Sequence, residues 1–289
     1  MMNYDDISRR LARIYEPREA KAIARMVLEE RFQLTMADIL CGKVTQLSAD
    51  DHEELEKIVH RLENSEPVQY VLGQATFRGR PFSVAPGVLI PRPETAELCQ
   101  WIVEAARSEH RSHNVSESAP SLSILDIGTG SGCIAVSLAL DIEGSSVTAI
   151  DVSAEALAVA RSNAHALGAL VQFQQLDILA AYPDQHYDIV VSNPPYVCRR
   201  EAETMEANVL RYEPHLALFV PDDDPLLFYR AIATHSDSLL APRGQLFFEI
   251  NPLCHALVCE LLRDEGFTDI QSRQDQFGRW RFVCGRKNA

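Results

Sequence analysis

The sequence predicts an α/β chain: a doubly wound parallel sheet with a small helical domain ahead of it. Three observations carry that prediction. The 289 residues are 46% hydrophobic, enough apolar material for a real core and for one large or two smaller domains. The first part of the chain places apolar residues at helical spacing. From Ser123 onward, short β-branched runs alternate with helix-length stretches, the pattern of strands buried on both faces.

Pro17 stands where a helix starts, with Ile23, Met26 and Val27 spaced behind it on one face. Residues 35–40 read as a further turn or short helix. Ser48 caps the next helix, with Asp50 and Asp51 in its first turn and Leu55, Ile58, Val59 and Leu62 as its apolar stripe. Asn64 to Pro67 ends the run. Residues 1–73 form the helical domain in this reading, 74–94 a hairpin linker around Gly79-Arg80-Pro81 and Ala85-Pro86-Gly87, and 95–289 the α/β domain. A helix is expected over 95–106, then a polar, Ser-rich mobile loop over 107–121. Strands are expected over 123–127, 147–150, 171–174, 188–192, 245–250 and 280–284, and helices over 132–140, 154–167, 226–239 and 253–265.

Lys and Arg total 27 against 41 Asp and Glu, a net charge of −14. That balance disfavours a non-specific nucleic-acid or anionic-membrane binder and points to a protein or small-molecule partner. The start, Met1 to Asp6, lacks the basic-then-apolar layout of a signal peptide, and the apolar run over 134–140 is too short to cross a bilayer. The seven scattered cysteines fit reduced, buried thiols, so a cytoplasmic protein is expected. The glycosylation triplet at Asn114 is then a coincidence.

Asp126-Ile127-Gly128-Thr129-Gly130-Ser131-Gly132 joins the first expected strand of this part to its helix. Glycines let the chain turn tightly and let a ligand approach the backbone, and the helix start offers free N–H groups. Cys133 stands where a dinucleotide fingerprint needs its third glycine, and no Gly-Lys-Ser/Thr ending marks a triphosphate loop. Asp151, closing the second strand, can accept hydrogen bonds from the two hydroxyls of a ribose, or cap the helix that follows. Asp177, after the third strand, stands where an adenine amino group is often held. An adenosine-bearing cofactor without a phosphate requirement fits, and S-adenosyl-L-methionine fits best.

The strand Ile189-Val190-Val191-Ser192 runs into Asn193-Pro194-Pro195-Tyr196. The prolines stop the strand and extend Asn193, leaving a stiff edge at the carboxyl end of the sheet. The Asn193 side-chain oxygen and the Pro194 carbonyl can converge on one NH2 group and orient its nitrogen. Tyr196 offers a flat face for a planar group to stack on.

This tetrad resembles that of S-adenosylmethionine-dependent methyltransferases acting on planar NH2 groups. More narrowly, the chain resembles the peptide chain release factor glutamine methyltransferase family (HemK/PrmC). The likeness rests on Glu66-Pro67-Val68-Gln69-Tyr70-Val71-Leu72-Gly73, on Val88-Leu89-Ile90-Pro91-Arg92-Pro93-Glu94-Thr95 and on Glu213-Pro214-His215-Leu216-Ala217-Leu218-Phe219, and it spans nearly the whole chain. It implies a Rossmann-like domain behind a substrate-recognising helical domain. The implied activity is methylation of the glutamine side-chain amide in the Gly-Gly-Gln motif of class I release factors. It further implies that Gly128, Thr129, Gly130, Ser131 and Gly132 cradle the methionine part of the cofactor, that Asp151 binds its ribose, and that Asp177 lies near its adenine. Asn193 and Pro194 would accept the glutamine NH2 hydrogens, with Asn193 also beside the cofactor, Pro195 shaping the pocket and Tyr196 packed on the amide. A monomer is expected, without direct contact to nucleic acid or membrane.

Some positions depart from the family pattern. Ala96 stands where an acid is frequent, Asn251 where glycine is usual and Cys254 where glutamine is common. Arg92 is expected to anchor the linker ahead of steering substrate. No catalytic histidine is assigned; Cys254, His255 and Cys259 lie on one helix without a second ligand pair, so no metal is expected. The rival readings are an adenine-N6 DNA or RNA methyltransferase, which needs a basic recognition surface, and a ribosomal-protein glutamine methyltransferase, which shares the chemistry. A non-enzymatic adenosine-binding scaffold is a further rival, since a binding fold does not by itself imply turnover.

Overall fold

The N-terminal helices start where their capping residues stand. In this computed structural model, which describes residues 2–112 and 122–288, helix α1 (Tyr4–Leu11) opens with reciprocal hydrogen bonds between Asn3 and Asp6. Pro17 is the first residue of α2 (Pro17–Phe32), where its missing N–H costs nothing. Short α3 (Met36–Leu40) is capped by Thr35, and α4 (Ala49–Glu63) by Ser48. With α5 (Val68–Leu72), these helices bury Ile7, Leu11, Val27, Leu28, Leu55, Val59 and Leu62 in one core.

A hairpin of β1 (Gln74–Phe77) and β2 (Arg80–Ser83) follows. Next in order come α6 (Pro93–Ser112), β3 (Ser123–Ile127), α7 (Cys133–Asp141), β4 (Ser146–Asp151), α8 (Ala154–Leu167), β5 (Val171–Gln175) and β6 (Tyr187–Ser192). The two-residue strands β7 (Val197–Cys198) and β8 (Phe219–Val220) pair in parallel around α9 (Ala207–Tyr212) and α10 (His215–Leu218). The chain ends with α11 (Leu227–Thr234), α12 (Ser236–Leu239), β9 (Leu240–Glu249), α13 (His255–Asp264), β10 (Thr268–Gln274) and β11 (Trp280–Arg286).

Seven strands form one sheet in the order β10-β11-β9-β6-β3-β4-β5, parallel except for β11. Alternation along the central strands feeds two cores. Val191 and Phe247 face the core shared with α6 and α7, while Val190 and Phe248 face the one shared with α11 and α13. Chain order reverses between β3 and β6, and a ligand crevice belongs at the carboxyl ends beside such a switch.

Several expectations needed correction. The all-parallel sheet is mixed, because a short turn over 275–279 joins β10 to β11 and forces them antiparallel. β10 escaped the sequence reading because it is an edge strand whose residues, such as Thr268, Gln271 and Arg273, are exposed and polar. Residues 107–112 are helical, not loop: the polar run there contains no Gly or Pro to break the helix. The remainder of that expected loop, with the Asn114 triplet, lies outside the described residues. The expected helix over 226–239 is divided at His235, whose backbone leaves helical geometry (φ −89°, ψ 12°). β9 begins at Leu240 because an irregular register and the left-handed Arg243 accommodate Pro242 and Gly244 within it. Cys41 is exposed and the other six cysteines are buried, and none of the seven is in a disulfide among the described residues.

The chain groups into two compact units, Met1–Gln74 with Met205–Tyr212, and Ala75–Thr204 with Glu213–Ala289. Linear boundaries at 73 and 94 do not foresee that residues 205–212 join the helical unit, where the Tyr212 hydroxyl donates to the Asn64 carbonyl at 2.9 Å. Among the described residues, no helix is long and apolar enough to cross a membrane.

Asn163 of α8, 1% exposed, ties two loops together. It donates to the carbonyls of Ser83 (3.0 Å) and Ser131 (2.9 Å) and accepts from the Ser83 amide (2.7 Å). Asn163→Ala strands one buried and two part-buried backbone groups and is expected to lower the unfolding free energy in urea by about 2–3 kcal/mol. A loss below about 0.5 kcal/mol contradicts this tie.

Candidate active site

The crevice at the switch point is a cavity of about 440 Å³, within the usual range for ligand sites. Gly128, Thr129, Gly130 and Ser131 line one side, with Asp151 at the end of β4 and Asp177 just past β5. Asn193, Pro194 and Pro195 line it at the end of β6. Ile178, Leu179, Phe228 and Ile232 add an apolar wall, and Pro214 to Ala217 a further edge. Gly132 and Tyr196 lie outside this lining.

The glycine loop takes its shape from alternate residues in left-handed conformation, Gly128 (φ 73°), Gly130 (φ 54°) and Gly132 (φ 80°). At Gly132 close packing adds a second requirement, since a Cβ there would stand 3.0 Å from that of Ala160. Asp126 sits beneath the loop, accepting from the Thr129 hydroxyl at 2.6 Å and the Ala135 amide at 3.1 Å. Its other oxygen, Oδ1, is buried without a partner. Burial pushes the Asp126 carboxyl up to about 7 against those two hydrogen bonds.

Asp151 does not cap α8; Ser153 does. The Asp151 carboxylate accepts from the Gly130 amide (2.8 Å) and the Ser153 amide (2.9 Å), which fixes its rotamer and leaves one lone pair on each oxygen. Its burial raises it from the ordinary carboxylate range, opposed by these amides. Asp177 accepts from the Leu179 amide at 2.9 Å.

Behind Asn193 lies a chain of hydrogen bonds that the sequence reading missed. The Asn193 Nδ2 donates to Thr95 Oγ1 at 3.2 Å, and Thr95 Oγ1 donates to Glu249 Oε2 at 2.7 Å. The Tyr196 hydroxyl donates to Glu249 Oε1 at 3.3 Å, and burial pushes that phenol up, keeping it a donor. Tyr196 thus packs toward the β9 side of the core. Thr95 and Glu249 are 2% and 1% exposed, although Thr95 also contributes to the cavity lining. The available signal was a lone acid, Glu249, ending the apolar run Leu246-Phe247-Phe248.

Two of the unusual positions also find partners. The Asn251 side chain donates to the Tyr196 carbonyl at 3.1 Å and to the Glu201 carboxylate at 3.1 Å. Glycine at that position could hold neither. Arg92 pairs with buried Glu213 at 2.5 Å, whose second oxygen accepts from the Ile90 amide at 3.2 Å, so Arg92 anchors the segment ahead of α6.

Burial raises the Glu249 carboxyl from an ordinary 4.5 to about 7, although the Thr95 hydroxyl and the Arg281 charge favour its ionised form. Because the folded chain holds this proton more tightly than the unfolded one, its contribution to stability is complete below about 4.5 and lost as pH rises through about 7. Glu249→Gln removes the titration. The stability of the wild type relative to this variant is therefore expected to fall by about 2–3 kcal/mol between about pH 5 and pH 8, measured by urea unfolding. A difference independent of pH contradicts the raised carboxyl.

Comparison with known proteins shows the family of the chain. Residues 4–73 match the PrmC N-terminal domain and residues 113–212 the Methyltransferase small domain. A release factor glutamine methyltransferase of Bacteroides thetaiotaomicron is 45% identical over 283 residues, covering 97% of this chain and 98% of that protein. One from Flavobacterium psychrophilum is 41% identical over 275 residues, covering 94% of each. A solved T. thermophilus 16S rRNA methyltransferase, in complex with AdoMet and guanosine, shares the fold at a TM-score of 0.50 and 19% identity, over 74% of this chain and 50% of that one. With that likeness running along nearly its full length, the chain belongs to the release factor glutamine methyltransferase family.

Proposed function

We propose that this chain methylates the side-chain amide nitrogen of the glutamine in the Gly-Gly-Gln motif of class I release factors, using S-adenosyl-L-methionine. The observation that carries the reading is the placement of Asn193 and Pro194 in the same cavity as the glycine loop, Asp151 and Asp177. The names of the full-length relatives support the same substrate.

The donor set fits that cofactor. Asp151 offers lone pairs to ribose hydroxyls, the loop after β3 offers close backbone approach, and the apolar wall of Ile178 and Leu179 suits a flat base. When bound, S-adenosylmethionine would supply a methyl group from an electron-poor sulfonium sulfur, which keeps the electrons of the broken carbon–sulfur bond and leaves as a neutral thioether.

Everything else is the work of the protein. The Asn193 Oδ1 and the Pro194 carbonyl accept the two hydrogens of the substrate amide, which fixes the nitrogen and weakens its delocalisation into the neighbouring carbonyl. As a bond to carbon forms, positive charge grows on that nitrogen, and both acceptors stabilise it more than they stabilise the neutral amide. The protonated amide then sheds its extra proton without a protein base. Pro195 stiffens the edge and Tyr196 holds the tetrad to Glu249.

The net charge of −14 supports a protein substrate over nucleic acid or membrane, met as a monomer in the cytoplasm where translation terminates. Asn193→Ala is expected to lower kcat for labelled methyl transfer to a release factor by about 100-fold or more, with cofactor affinity by calorimetry within about threefold. Activity retained in that variant sinks the reading.

A further inference from the structure

We propose that Thr95 and Glu249 are positioning residues that decide which end of the Asn193 amide faces the substrate. The proposal rests on the reading of Asn193 as an acceptor for the substrate NH2 group. It follows from the direction in which each hydrogen bond of the relay must run.

A hydroxyl has one hydrogen to give. An ionised carboxylate can only accept, so the Thr95 hydrogen goes to Glu249 Oε2 at 2.7 Å. The Thr95 oxygen then presents a lone pair to Asn193, 3.2 Å away, and only the NH2 end of the Asn193 amide can satisfy it. The Asn193 oxygen is left for the substrate. Without the relay, the two ends of this amide differ little in shape and either could face the cavity.

Protonation of Glu249 reverses the relay. A hydrogen on Oε2 is donated to Thr95, and the Thr95 hydrogen turns toward Asn193. The amide then gains by rotating its oxygen to Thr95, which points its NH2 at the substrate NH2. Two donors face each other, and of the two acceptors only the Pro194 carbonyl remains.

The groups around Glu249 set where this happens. Glu94 and Thr95 approach from α6, Cys133 from α7, Tyr196 from the tetrad, Tyr229 from α11 and Arg281 from β11. Arg281 is itself engaged by Asp275 at 3.2 Å. Burial and the charge of Glu94 favour the proton, and Thr95, Arg281 and Tyr196 oppose it, which leaves the carboxyl at about 7. Methyl transfer should therefore switch on as pH rises through neutrality.

The test is kcat and KM against pH, from about 6 to 8.5, for the wild type, Thr95→Val, Thr95→Ser, Glu249→Gln and Asn193→Ala, with cofactor titration of each. In the wild type, kcat is expected to fall about tenfold per pH unit on the acid side of about 7. Thr95→Val is expected to lose about 10- to 100-fold in kcat with KM and cofactor affinity within about threefold, and Thr95→Ser to recover most of the loss. Glu249→Gln, which cannot titrate, is expected to give a flat profile across the acid range. Wild-type kcat in Thr95→Val, or an unchanged acid limb in Glu249→Gln, overturns the relay while a dead Asn193→Ala leaves the tetrad reading intact. An active Asn193→Ala overturns the tetrad reading itself and the relay with it.

Discussion

A single buried carboxylate, that of Glu249, holds together the three segments that meet at the Asn193 end of the cavity. It takes a hydrogen from Thr95 at the start of α6 and another from Tyr196 in the tetrad, while its own backbone ends β9. A carboxylate placed so far from water is unfavourable unless its oxygens are bonded, and both are. β9 is paired on both sides, to β6 and β11, so the tetrad inherits the rigidity of a central strand. Asn251, two residues on, holds the Tyr196 carbonyl and extends the same support.

The cofactor half of the cavity follows from the sheet. β3, β4 and β6 run parallel and end together, and reversal of strand order beside β3 opens the crevice there. The loop after β3 can fill that opening because Gly132 lets α7 begin against Ala160 of α8. Asp126 secures the loop from below through Thr129 and Ala135. Asp151 secures it from the side through Gly130, so one carboxylate both shapes the loop and faces the cavity. Function and fold use the same hydrogen bonds at this edge.

What was legible in the sequence divides along the range of the interactions involved. β3 and α8 have the bounds that apolar periodicity assigns, because each has a clear buried face and a local start or stop such as Ser153 or Gly168. The glycine loop and the tetrad were legible because their residue types have few other uses after a buried strand. Thr95 stood in a longer motif and Glu249 within an expected strand, neither with a role, since the bond that joins them spans 154 positions. β10 gave no signal because an exposed edge strand needs no apolar face. The end of α6 was misread because helix and loop can share polar residues, and Tyr196 was expected to face the ligand where its ring packs toward β9.

The central claim is that Asn193 and Pro194 direct a methyl group onto one amide nitrogen, and mapping the product tests it most directly. A class I release factor is incubated with the protein and isotope-labelled S-adenosylmethionine, then digested and read by tandem mass spectrometry. The account predicts one labelled methyl group, on the side-chain nitrogen of the glutamine in the Gly-Gly-Gln motif. Label on any other residue, or transfer to adenine in DNA or RNA in preference to the release factor, would contradict it.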